Sequence, residues 1–115
     1  MSIEIHETEH PQGLLVKLQG EAGLAQIDTL SNHFMKIMAR HPAKVVLDIS
    51  QLGFIASAGM GALVSLERGL RRRGGKVYLA APQPEVREAF YRARLQDIFT
   101  IVATVEAALS EGSAS

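Results

Sequence analysis

The run Lys44-Val45-Val46-Leu47-Asp48-Ile49 constrains the fold more than any other stretch of the chain. It is short, rich in β-branched residues and almost wholly apolar, the pattern of a central strand buried on both faces. Patterns of a different period stand on either side of it. From Ala25 to Arg40 the apolar residues Ile27, Leu30, Phe34, Ile37 and Met38 recur in steps of three and four, which places them on one helical stripe. Pro42 ends that helix. Met60, Leu63, Val64 and Leu70 mark a second amphipathic helix, from about Ser57 to Arg73, closed by Gly74-Gly75. A buried strand between two one-sided helices is the signature of an α/β sheet with crossover connections.

The remaining segments extend this layout. Ile3 and Ile5 sit at strand spacing in a stretch running to about Thr8, and His10-Pro11-Gln12-Gly13 makes a turn. Leu14 to Leu18 forms a second strand, stopped by Gly20, so the chain opens with an antiparallel hairpin. Lys76 to Ala80 is a further strand. Pro84 opens a third helix with Val86, Ala89, Phe90 and Ala93 facing inward. Ile98 to Val102 reads as a short extended piece, and Thr104 as the N-cap of a last helix carrying Val105, Ala108 and Leu109. The order β-β-α-β-α-β-α-α predicts an α/β fold. Its mixed sheet has about four strands, and about four helices pack mainly on one face. One domain spans residues 1–110, and the small polar residues 111–115 are expected to fray.

Composition removes several function classes. There is no cysteine, which excludes disulfides, thiolate metal sites and cysteine nucleophiles. Twelve basic residues balance twelve acidic ones, so no global field draws the chain to nucleic acid or to an anionic membrane. Apolar runs are broken by Lys17, Asp48 or Gly53, and Met1-Ser2-Ile3-Glu4 lacks a signal-peptide layout. These features lead us to expect a cytoplasmic domain without membrane insertion. His6, His10, His33 and His41 are scattered without ligand spacing, so no metal or other cofactor is expected. The basic run Arg68, Arg71, Arg72, Arg73 and Lys76 falls where cations complement a helix dipole.

The turn from the buried strand into the second helix holds the candidate functional residues: Phe54, Ile55, Ala56, Ser57, Ala58, Gly59 and Met60. Amides at a helix start lack intrahelical partners and favour an anion, and the small residues here let another backbone or a phosphate approach. A plainer reading stands beside this one. Ser57 serves as an N-cap, and Gly59 and Gly61 permit close helix–sheet packing. Met60 suits either the core or an exposed contact. Enzyme motifs fail here: Ile55 stands where a nucleophile elbow needs glycine, and Gly61 is followed by Ala62 rather than by the lysine of a phosphate loop.

The segments Leu47-Asp48-Ile49-Ser50, Phe54-Ile55 and Ser57-Ala58-Gly59-Met60-Gly61-Ala62-Leu63 together resemble the signature of the STAS domain, the family named for sulfate transporters and anti-sigma-factor antagonists. The hairpin, Gly20-Glu21 and Gly74-Gly75-Lys76-Val77 fall in family-like places. The resemblance implies a binding module rather than an enzyme. Freestanding members bind an anti-sigma factor that is also a serine kinase of the histidine-kinase-like ATPase type. Phosphorylation at this helix start breaks that complex by adding about −1.5 to −2 charge.

This chain departs from the family's turn. Aligned on Gly59, the position that usually accepts phosphate is Ala58, and no acidic residue precedes it. Gly23 stands where the family often has an aspartate, while Asp48 is kept as a supporting acidic residue on the strand leading to the site. Three readings stay open. Ser57 is the phosphoacceptor in a shifted register, or Ala58 makes a constitutive binder, or the chain is the small STAS subunit of a phospholipid-transporting ABC complex.

Overall fold

The computed structural model describes residues 2–111. It comprises β1 (Ile3–His10), β2 (Gly13–Ala22), a 3-10 turn at Leu24–Gln26, α1 (Ile27–Ala39), β3 (Lys44–Ile55), α2 (Ser57–Arg71) and β4 (Lys76–Ala80). After these come α3 (Pro84–Arg92), a second 3-10 turn at Leu95–Asp97, β5 (Thr100–Val102) and α4 (Val105–Ser110). The strands lie side by side in chain order. β1 is antiparallel to β2, and β2 through β5 run parallel.

Alternation along the strands divides the core in two. Val16, Leu18, Leu47 and Ile49 point to one face, where α1, α2 and α3 cover them with Phe34, Ile37, Leu63, Leu66 and Phe90. Val46, Tyr78 and Ala80 point to the other, where α4 covers them with Ala108 and Leu109. This is why Lys44–Ile49 carries almost no polar residue: both of its faces are buried. Thr104 caps α4 as expected, its Oγ1 accepting the Ala107 amide at 3.0 Å. Lys44 holds the other end of α4, Nζ donating to the carbonyls of Leu109 at 2.9 Å and Glu111 at 2.7 Å. Burial lowers the pKa of this ammonium, an effect that Glu111 opposes and Lys76 reinforces. On the hairpin side, the Glu7 carboxylate of β1 takes both His33 and Arg40 from α1.

Two expectations change. The sheet has five strands rather than about four, because Thr100–Val102 pairs with Tyr78–Ala80 instead of standing alone. The larger change is in β3, which continues through Ser50–Ile55, where a loop was expected. β2 likewise runs past Gly20 to Ala22 and supplies its partner. Gly20 permits this because its φ is +109°, and a Cβ there would strike the Ser2 carbonyl. Two register shifts between β2 and β3 absorb the polar and glycine residues that disguise the strand. At the first, Asp48 Oδ1 accepts the Ser50 amide at 3.0 Å. The expected frayed tail lies, beyond Glu111, outside the described residues.

Candidate functional site

β2 and β3 end level with each other, Ala22 opposite Ile55, and α2 begins directly afterwards. The Ala56 amide donates to the Ala22 carbonyl at 2.9 Å, which ties the helix start to the neighbouring strand. Gly59, one turn into α2, lies against the same place. A Cβ on it would meet Ile55 Cγ1 at 2.9 Å and the Ala22 oxygen at 3.0 Å. Gly59 is therefore a residue of close approach, and the position of the helix start depends on it.

Ala56, not Ser57, is the N-cap, with φ −83° and ψ 165°, and no side chain caps the helix. This corrects the capping reading of Ser57. Ser57 is the first helical residue, exposed, and its hydroxyl makes no hydrogen bond among the described residues. Ala58 is exposed beside it. The first amides of α2 thus have no side-chain acceptor, and the only hydroxyl at the turn is free.

The other expected residues divide by burial. Phe54 is 46% exposed, and Met60 is half-buried, packed on the core while also lining the surface groove described next. Ile55 and Gly59 are buried and form the support beneath the surface rather than the surface itself. Asp48 is half-buried and acts on backbone shape: it fixes the Ser50 amide, and Gln83 Nε2 donates to the Ser50 carbonyl at 3.0 Å from the other side. A shallow groove of about 630 Å³ separates Phe54, Ser57 and Met60 from Glu85, Ala89 and Arg92 of α3. Among the described residues, no histidine lines it, so no acid–histidine pair faces Ser57.

Sequence reasoning missed Leu24, the most exposed large apolar side chain at 79%. It stands three residues before Ile27, at the spacing of the α1 stripe, although the helix read from the sequence begins after it, at Ala25. The 3-10 turn breaks that phase and turns it outward. The turn is rigid: Gln26 is buried, its Oε1 accepts the Gly23 amide at 3.0 Å, and its own amide donates to the Gly23 carbonyl at 3.0 Å. Leu24, two residues past the end of β2, and Phe54, next to the end of β3, are thus both exposed apolar side chains, and Phe54 shares the groove with Ser57 and Met60.

The site is thus an exposed, uncapped helix start at the end of a small mixed sheet. The family model for the STAS domain matches residues 2–108, and the chain belongs to that family. A curated relative, BtrV of Bordetella bronchiseptica, named as an anti-sigma factor antagonist, is 30% identical over 95 residues, covering 83% of this chain and 82% of that protein. Among solved structures, an anti-sigma factor antagonist from Mycobacterium paratuberculosis superposes with a TM-score of 0.87 at 23% identity, covering 94% of this chain and 92% of that one. SpoIIAA of Bacillus in its unphosphorylated form superposes at 0.81 with 19% identity, covering 97% and 98%. Both superpositions carry the fold. Among the described residues, no helix is long and apolar enough to cross a membrane.

Proposed function

We propose that this protein is an anti-sigma factor antagonist, a cytoplasmic regulatory module that binds its partner through the start of α2. The observation that carries the reading is the exposed pair Ser57-Ala58 on an uncapped helix start, with the exposed Phe54 lining the same groove as Ser57. An exposed aromatic side chain beside a shallow groove suits a protein partner better than a small ligand. The shallowness of the groove supports binding rather than catalysis. The naming of BtrV supports an anti-sigma factor as the partner. The family resemblance extends this to a serine kinase of the histidine-kinase-like ATPase type.

Ser57 is the phosphoacceptor in this reading. Its hydroxyl is accessible and unbonded, whereas the methyl of Ala58 cannot accept phosphate. A phosphate on the first residue of α2 brings about −1.5 to −2 charge onto a surface that also holds Phe54, Ala58 and Met60. A partner shaped for those groups is expelled by the charge and its hydration.

Affinity capture of the tagged protein from its source cells tests both levels. A kinase-like anti-sigma factor is the expected partner, with phosphate on the Ser57 peptide in a part of the sample. Recovery of a membrane ATPase and permease instead overturns the antagonist reading in favour of a transport subunit.

A further inference from the structure

The sheet ends differently on its two sides. β5 at one edge is three residues long, too short to serve as a template for another strand. β1 at the other edge runs for eight residues, and its ladder with β2 is unbroken from Ile3–Gly20 to His10–Gly13. It contains no proline, no lysine and no bulge, the devices that commonly guard an edge. Among the described residues, no strand pairs with its outer side.

The register fixes which backbone groups face outward. The Glu21 amide donates to the Ser2 carbonyl at 2.9 Å, so this opposed pair is a hydrogen-bonded one. Antiparallel pairs alternate, which turns Glu4, His6 and Thr8 toward β2 and leaves the N–H and C=O groups of Ile3, Ile5, Glu7 and Glu9 pointing away from the sheet. Side chains alternate too. Ile3, Ile5 and Glu7 are half-buried on the helix-covered face, while Glu4, His6 and Thr8 are exposed on the other. Arg40 and His33 of α1 already match the Glu7 carboxylate, so it brings no unpaired charge to the edge.

We propose that this edge joins two copies of the chain, β1 against β1, in an antiparallel pair. Centred on His6, the pairing sets Ile3 opposite Glu9 of the second copy and Ile5 opposite Glu7, so every outward residue exchanges its N–H and C=O with a partner. Glu4 then faces Thr8, and His6 faces its own copy; no glutamate stands opposite another. Centring on Glu7 opposes two glutamates and leaves Ile3 without a strand partner. Centring on Ile5 leaves Glu9 without one. The strand is thus self-complementary in one register, which selects a second copy as the occupant and a closed two-fold dimer as the result. β2 stands between this seam and β3, so the start of α2 stays open in both copies, and the dimer does not depend on what binds there.

Sedimentation equilibrium of the full chain, from micromolar to near-millimolar concentration, tests the seam. A reversible dimer is expected. Thr8→Glu sets a carboxylate opposite Glu4 at two symmetric places and is expected to weaken the dimer by about tenfold. Adding Glu4→Lys to that variant turns both pairs attractive and is expected to restore it. Glu4 and Thr8 are exposed, so the fold tolerates both changes, and circular dichroism checks this. Ser57→Asp is expected to leave the dimer unchanged. In amide exchange at dimer-forming concentration, Ile5 and Glu7 are expected to join Glu4, His6 and Thr8 among the protected amides. The proposal is overturned if the chain stays monomeric at every concentration, which would leave β1 open to a strand of another protein or to none. It is also overturned if Thr8→Glu dimerises as the parent does, or if the Ile5 and Glu7 amides exchange freely in the dimer.

Discussion

Adding one methyl group at two places in α2, two residues apart, has opposite expected effects. At Gly59 an added Cβ meets Ile55 Cγ1 at 2.9 Å, the Ala22 oxygen at 3.0 Å and Ala22 Cβ at 3.4 Å. Two of those atoms belong to the last residue of β2, whose carbonyl already holds the Ala56 amide, so they do not yield as a flexible side-chain tip does. Overpacking of this kind costs about 1–3 kcal/mol, against a gain of roughly 0.5–1 kcal/mol from replacing a helical glycine with alanine. Gly59→Ala is therefore expected to destabilise by about 1–2 kcal/mol. At Gly61 nothing lies within 4 Å of an added Cβ, so only the gain remains. Gly61→Ala is expected to stabilise by about 0.5–1 kcal/mol. Urea unfolding of the two variants and the parent measures both, with Tm moving by about 4 °C per kcal/mol at this chain length. Partner capture separates the consequences: Gly59→Ala tilts the helix start and lowers binding, while Gly61→Ala keeps it. Equal stabilities for the two variants would refute the argument that close approach to β2 positions the site.

Four further outcomes follow from particular contacts. Ser57→Ala is expected to change stability by less than about 0.5 kcal/mol because its hydroxyl caps nothing, whereas Thr104→Ala loses a cap worth about 1 kcal/mol; thermal melts compare them. Ser57→Asp is expected to abolish partner capture while the melt stays at or above that of the parent, since an acidic residue in the first turn favours the helix by about 0.3–1 kcal/mol. For Glu7, burial raises the carboxyl pKa, but hydrogen bonds and charge from Arg40 and His33 outweigh it and leave the value below 4.5. A depressed carboxyl pKa stabilises the fold fully above the unfolded value and loses that contribution as pH falls through the folded one. Parent and Glu7→Gln should thus differ by roughly 1 kcal/mol at neutral pH and converge as pH falls through the lowered Glu7 value in urea titrations. Lys44→Met removes both bonds to the end of α4 and the contact of the ammonium with the Tyr78 ring. Amide exchange in α4 is expected to rise by about tenfold, for a loss of about 1–2 kcal/mol. Unchanged exchange would show that packing alone holds the helix.

Much of the fold was legible from periodicity, because burial imposes it. Lys44–Ile49 had to be apolar on both sides, and Leu30, Phe34 and Ile37 had to share a stripe. What the pattern hid was β3 beyond Ile49. There, bulges interrupt the alternation, and polar residues and Gly53 imitate a loop, although β2 pairs with the segment to its end. The extended piece within Ile98–Val102 was legible, but its pairing as a fifth strand was not, since three residues carry too little pattern without the β4 edge beside them.

Local chemistry alone determined the hairpin, the alternation of strands with helices, the place of the turn at Ala56–Gly59, and the absence of thiol chemistry. Each follows from a residue's own backbone preferences or from its nearest neighbours in the chain. Tertiary structure decided which side chains of that turn face water. Ser57, Ala58 and Phe54 are exposed while Ile55 and Gly59 are buried, because Ala22 on another strand occupies the space behind them. It also turned Leu24 outward and left Glu67 with a free oxygen at the far end of α2. Such outcomes depend on contacts between residues far apart in the chain, and no local pattern carries them.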